Sequence, residues 1–144
     1  MRLVIIFIFL STIISCSFRD KVAPMKLNGQ YSIIGYGTAQ NFLEDYDSRY
    51  ELISILKENH FQFDFSEIDS TVRIDKRLGN KLFGSSTFKY KLGHKTITLI
   101  NHERSIEIPY WKVNETIMLK ITRHGIMHFS ITSYHNTKKH NKRS

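Results

Sequence analysis

Apolar and polar residues alternate almost without a break through the second half of the chain. The apolar positions are Phe88, Tyr90 and Leu92, then Ile97 and Leu99, then Ile106, Ile108 and Tyr110, then Ile117, Leu119 and Ile121, then Met127, Phe129 and Ile131. A two-residue period places every second side chain on one face, the pattern of a half-buried strand. Polar connections fall at Gly93-His94, Asn101 to Arg104, Asn114-Glu115 and Arg123 to Gly125, each with a residue that tolerates turn geometry. Links this short force neighbouring strands to pair antiparallel, so Phe83 to Tyr134 is predicted to be a β-meander.

The first half is less uniform. Leu27 to Tyr36 is predicted as the first strand, with Tyr31 and Ile33 on one face and Ile34 and Tyr36 towards the other. Phe61 to Phe65 alternates with three inward phenylalanines, and Thr71 to Ile74 is a short strand followed by a turn at Leu78-Gly79-Asn80. Gln40 to Lys57 supports two readings: Phe42, Tyr46, Tyr50 and Ile53 recur at helical spacing, whereas Leu52 to Leu56 suits a half-buried strand. We read a loop or short helix to about Ser48, then a strand, then a turn at Lys57 to His60. The expected fold is all-β, an antiparallel meander closing into a small barrel of about eight strands. The alternative is an α+β fold in which a helix running to Glu58 packs on the meander, as in cystatins.

Leu27-Asn28-Gly29-Gln30-Tyr31 resembles the opening Gly-x-Trp strand of lipocalins and of bacterial lipocalin-like lipoproteins, with tyrosine in place of tryptophan. Ile53 to Phe65 resembles the second hairpin of that family. Gly84 to Ile100 resembles its strand, glycine turn and Ile-Thr-Leu strand, while the one tryptophan, Trp111, lies in a later strand. The likeness runs from Leu27 to about Thr132. It implies a lipocalin-like barrel in which the aromatic of the first strand, here Tyr31, closes one end.

The amino terminus carries a compartment signal. Met1-Arg2 is a basic start, Leu3 to Leu10 is wholly apolar, and Ser11 to Ser15 leads into the single cysteine, Cys16. This is a signal-peptide layout, and the apolar run is well short of the roughly 20 residues that span a bilayer. Ile13-Ile14-Ser15-Cys16 resembles the lipobox of bacterial lipoproteins, which implies cleavage before Cys16, a diacylglyceryl group on its sulfur and acylation (palmitate or a similar chain) of the new terminus. A lone cysteine is otherwise commonly a core thiol. Two or more acyl chains would make attachment effectively permanent. Residues 1–15 are thus expected as signal peptide, 16–26 as lipidated cysteine and tether, and 27–134 as the β domain. Ser17, not aspartate, follows Cys16, which by analogy with lipoprotein sorting favours the outer membrane of a bacterial envelope.

The chain carries a formal charge of +8 with a pI near 9.6. Such a balance raises polyanions as partners. Much of the surplus lies in residues 135–144, where Lys138, Lys139, Lys142 and Arg143 follow the last apolar strand, in a segment with nothing to bury. A solvated basic tail accounts for it, with acidic head groups as the functional alternative. Nucleic acid is not expected, because no aromatic stacking face accompanies the charge.

Candidate chemistry is sparse. His60, His94, His102 and His124 fall in predicted turns and His128 faces out, without His-x-His or His-Glu-x-x-His spacing, so no metal is expected. Ser54 to Lys57 and Ser86 to Lys89 fit Ser-x-x-Lys, but both serines fall in predicted strands and no Ser-Asp-Asn or Lys-Thr-Gly partner exists. Glu67 and Asp69 sit in a polar loop without the burial that tunes one acid against another. Asn114-Glu115-Thr116 is a sequon that reads more simply as a hairpin turn. No cofactor motif is present, and a non-enzymatic role is expected.

What remains is the barrel interior. Tyr31, Phe63, Phe88, Tyr90, Tyr110 and Phe129 are the candidate ligand-binding residues, their tyrosine hydroxyls serving as polar anchors for a small apolar or amphipathic ligand. The same bulky set could instead pack solid. In that alternative the domain serves an envelope protein partner through exposed Met118 and Ile126, with Trp111 where it faces outward.

Overall fold

A computed structural model describes residues 25–39, 46–58 and 60–135. The expected signal peptide, Cys16, most of the expected tether and the residues after His135 lie outside the described residues. Eight strands form a closed antiparallel barrel in simple sequential order, β1 Gly29–Thr38, β2 Phe63–Ser66, β3 Thr71–Ile74, β4 Thr87–Leu92, β5 Thr96–Ile100, β6 Ser105–Val113, β7 Thr116–Arg123 and β8 Ile126–Ser133, with β8 pairing back onto β1. This is the expected up-and-down, lipocalin-like architecture. The alternation of the second half becomes a strict inside-outside pattern, with Phe88, Tyr90, Ile97, Leu99, Ile106, Ile108, Tyr110, Ile117, Leu119 and Ile121 all buried.

Two helices depart from the expectation. Tyr46–Lys57 is α1, so Leu52 to Leu56 is helical and not a strand. Helical geometry buries Leu52 and Ile55 completely on one face and packs Ile53 and Leu56 against the same core. Lys76–Phe83 is α2 where a turn at Leu78-Gly79-Asn80 was expected, and it buries Leu78, Gly79, Leu82 and Phe83. The α+β alternative has a helix running to Glu58, close to the observed end of α1, but the strands form a closed barrel and not an open meander with a helix packed on it. Both helices lie at the same end, since α1 joins β1 to β2 and α2 joins β3 to β4. No helix among the described residues is long and apolar enough to cross a membrane.

Three smaller expectations are also corrected. Phe61 stands before β2, half-buried and edge-on to Tyr134 at 6.0 Å, so only Phe63 and Phe65 point inward from that run. Ile126 is buried and Met127 is 49% exposed, the reverse of the expected facing. A register shift between Lys120 and Arg123 of β7 against β8, with Thr122 and His124 at positive φ, changes the phase of the pleat there. Ser54 lies on α1, not in a strand, and both it and Lys57 face solvent.

The ends of α2 are defined by local chemistry. Asp75 is the N-cap, its Oδ1 accepting from the backbone N–H groups of Arg77 and Leu78 at 3.0 Å each. Its Oδ2 lies 3.1 Å from Nε2 of His60, which also faces Glu58 at 3.5 Å, while Glu58 pairs with Arg77. Gly84 ends the helix in the left-handed region at φ 73°, and Nη1 of Arg123 donates to the Leu82 carbonyl at 3.3 Å. Burial would raise the Asp75 pKa, but the Leu78 N–H, His60 and Arg77 outweigh it and hold it below the ordinary 3.8. A carboxyl with a lowered folded pKa stabilises the fold above its unfolded value, and that contribution disappears as pH falls through the folded pKa. Asp75→Ala is expected to cost about 0.5–2 kcal/mol at neutral pH. Asp75→Asn should retain most of the cap and flatten the loss of stability below pH about 4, which denaturant titrations across that range measure.

Candidate functional site

The six residues singled out for ligand binding all belong to the barrel, but they do not surround an open lumen. Phe63 and Phe65 stack at 6.2 Å, Phe65 meets Tyr31 edge-on at 5.6 Å and Tyr90 edge-on at 5.3 Å, and Phe88 meets Phe83 edge-on at 6.4 Å. Tyr31 is half-buried at the end of the barrel where β1 begins. Phe129 is wholly buried, opposite Leu119 on β7 and Tyr36 on β1. Phe129 and Ile131 are 0% accessible and Leu119 is 1%, so no water-sized space adjoins these central side chains.

The tyrosine hydroxyls have partners of their own. Tyr90 donates to the Leu27 carbonyl at 2.8 Å, latching the segment before β1 to β4. The Tyr110 hydroxyl lies 3.0 Å from the Gly93 carbonyl and 3.1 Å from that of His94, so its one proton is shared within the β4–β5 turn. Burial raises the pKa of Tyr31, Tyr90 and Tyr110 above 10.0, with Glu67 adding to the effect at Tyr90, and keeps all three protonated. Gln62, buried beside β2, accepts from the Ile33 N–H at 2.7 Å and extends the β1–β2 pairing past its last register pair. These hydroxyls close the barrel at the end opposite the helices.

An opening lies in the wall instead. The register of β6 against β7 runs only from Val113↔Thr116 to Tyr110↔Leu119. Beyond it β6 continues along β5 and β7 bulges along β8, and no register pair joins Ser105–Pro109 to Lys120–Arg123. Pro109 sits where the ladder stops. The Tyr110 N–H points towards β5, to the Lys95 carbonyl, so the alternating geometry aims the nitrogen of Pro109 at β7, where it has no proton to donate. A cleft of about 320 Å³ occupies this seam. Ile106, Ile108, Ile121 and Phe83 of α2 form its depth; Glu107, Pro109, Lys120, Thr122 and Arg123 form its exposed rim.

None of the cleft residues was among the six. The available signal was Pro109 itself, since a proline within an alternating run marks an edge or an interrupted ladder. Among the described residues, no group of three or more His, Cys, Asp or Glu side chains is arranged to hold a metal. Trp111 faces outward at 45% exposure, with half-buried Met118 opposite it on β7 and Ser130 beyond on β8. The chain matches no protein-family profile, no curated protein and no solved structure.

Proposed function

We propose that this is a lipid-anchored lipoprotein of the bacterial cell envelope, attached through Cys16 and non-enzymatic, whose barrel binds a small apolar or amphipathic molecule. The observation that carries the binding role is the closed eight-stranded barrel, an architecture compatible with ligand binding, with the β6–β7 cleft as the candidate place. The cleft's volume is at the lower end of the roughly 300–1,000 Å³ of small-molecule sites, and its lining combines buried apolar residues with an exposed polar and charged rim. Because Phe129, Ile131 and Leu119 pack the centre, the proposed binding place is the wall and not the lumen. Native mass spectrometry of the full chain purified without added lipid tests this: a stoichiometric small-molecule adduct that leaves on denaturation is the expected result. A protein that neither retains nor takes up any small amphiphile would overturn it. Anchoring is read separately, as loss of labelled palmitate incorporation and of membrane association in Cys16→Ser.

A second reading rests on the outer face of the barrel. Trp111 at 45%, Val113 at 50% and Ile34 at 52% exposure are large apolar side chains held out by strand geometry. They suit an envelope protein partner. A photo-crosslinking residue at position 111 that captures one defined envelope protein in intact cells supports this role; labelling of lipid alone removes it.

A further inference from the structure

We infer that the end of the barrel opposite the helices docks on the surface of an anionic bilayer, with Ile68, Trp111 and Val113 entering the head-group region among lysines. The inference rests on attachment through Cys16 and adds a second contact between the domain and the membrane. Antiparallel pairing in sequential order brings four features to this end: the start of β1, the β2–β3 turn at Glu67 to Ser70, the β6–β7 turn at Asn114-Glu115, and the end of β8. Ile68 is 96% exposed in a turn that is held in place, since the Asn28 side chain accepts from the Glu67 N–H at 3.3 Å and the Tyr90 N–H donates to the Ser70 carbonyl at 2.8 Å. Val113, beside the β6–β7 turn, is 50% exposed, and Trp111, one outward position before it, is 45% exposed. Tryptophan with flanking lysines is the usual composition of a membrane–water interface.

Exposure alone does not choose this end, because Tyr50 of α1 and Met127 near the start of β8 are exposed at the other. The course of the chain does. Nine residues separate Cys16 from Met25, and their fully extended length keeps Met25 within about 30 Å of a lipid on that cysteine. The last strand finishes at this end too, and the sequence after it carries Lys138, Lys139, Lys142 and Arg143 without an acid. Among the described residues near this end, Lys26, Lys91, Lys95 and Lys112 stand with Glu67, Asp69 and Glu115, and Lys26 pairs with Glu67 at 3.3 Å. The surplus is positive, which suits an anionic surface.

Trp111 is the only tryptophan of the chain, so its emission reports this contact alone. The test places the lipidated full chain in vesicles of phosphatidylcholine with or without phosphatidylglycerol, with bromine on the acyl chains as quencher. With the anionic lipid present, emission is expected to shift to shorter wavelength and to be quenched. Raised salt, or omission of phosphatidylglycerol, should reverse much of this. Ile68→Ser should lower the ratio of docked to free domain about tenfold, as for one apolar side chain returned to water, and Lys95→Gln about fivefold. Both positions are exposed, so neither change disturbs the core. Long-wavelength, unquenched emission from a chain that floats with the vesicles overturns docking while attachment through Cys16 stands. Quenching that Ile68→Ser leaves unchanged overturns this end of the barrel as the contact. Cross-linking from position 111 to one envelope protein in place of lipid overturns it in favour of a protein partner. A chain that does not float with vesicles at all removes the anchored reading together with this inference.

Discussion

Phe129→Ala is expected to destabilise the domain by about 3–5 kcal/mol, against the roughly 5–15 kcal/mol stability of an ordinary domain. Phe129 is 0% accessible, lies on the strand that closes the barrel, and sits between the Leu119 and Tyr36 positions of its neighbours. Its removal loses the transfer free energy of a ring and leaves a cavity that strands on both sides, held by their ladders, cannot collapse to fill. Thermal unfolding should move down by more than about 10 °C for a domain of this size. The size of the effect decides between a solid and a hollow barrel. A cost below about 1.5 kcal/mol would mean that the ring already bordered free space, and would return the binding site to the lumen.

Gly79→Ala is expected to destabilise by about 1–3 kcal/mol, against the sign that helix propensity gives. Within a helix, alanine is favoured over glycine by about 0.8–1 kcal/mol. At Gly79, however, a Cβ would lie 2.7 Å from the Ser85 carbonyl oxygen and 2.8 Å from the Ser86 Cα, both backbone atoms, with Ile74 Cβ at 3.3 Å. Backbone cannot rotate away as a flexible side chain can, so α2 must shift off the strand that follows it. Equilibrium denaturation of Gly79→Ala beside Asn80→Ala, an exposed position on the same helix, separates the two contributions. The exposed change should be neutral or mildly stabilising and the buried one clearly unfavourable.

The parts of the fold legible in the sequence are those in which one local period suffices. From β4 to β8 the alternation and the turn residues agree, and the elements lie where the pattern puts them. In α1, Leu52-Ile53-Ser54-Ile55-Leu56 offers apolar residues at both strand and helix spacings, and only the core it packs against selects Leu52 and Ile55 as the buried pair. In α2, the central glycine suggested a turn, although Asp75 before and Gly84 after are a helix start and stop. Facing at Ile126 and Met127 was lost to a bulge, which no period announces. Alternation places Phe63, Phe65, Phe88, Tyr90, Tyr110 and Phe129 inward, as they are, and Phe61 too, which is not; burial is in any case the same signal for a packed core and for a pocket wall. The seam was hidden for a different reason: it arises where two strands fail to pair, and only Pro109 marks that failure in the sequence.

The pairing of the first strand with the last also orders the events of folding. Tyr31 and Ser133 are partners although roughly a hundred residues separate them, and β1–β8 is the longest register in the barrel. While β2 to β8 can assemble hairpin by hairpin, much of β1 has no partner until β8 exists. A chain emerging from its amino terminus therefore carries an unsatisfied edge for nearly the whole of synthesis, rich in apolar and small residues from Tyr31 to Tyr36. Closure is the high-entropy step, and it places refolding in the millisecond-to-second range of proteins built on distant strand pairs.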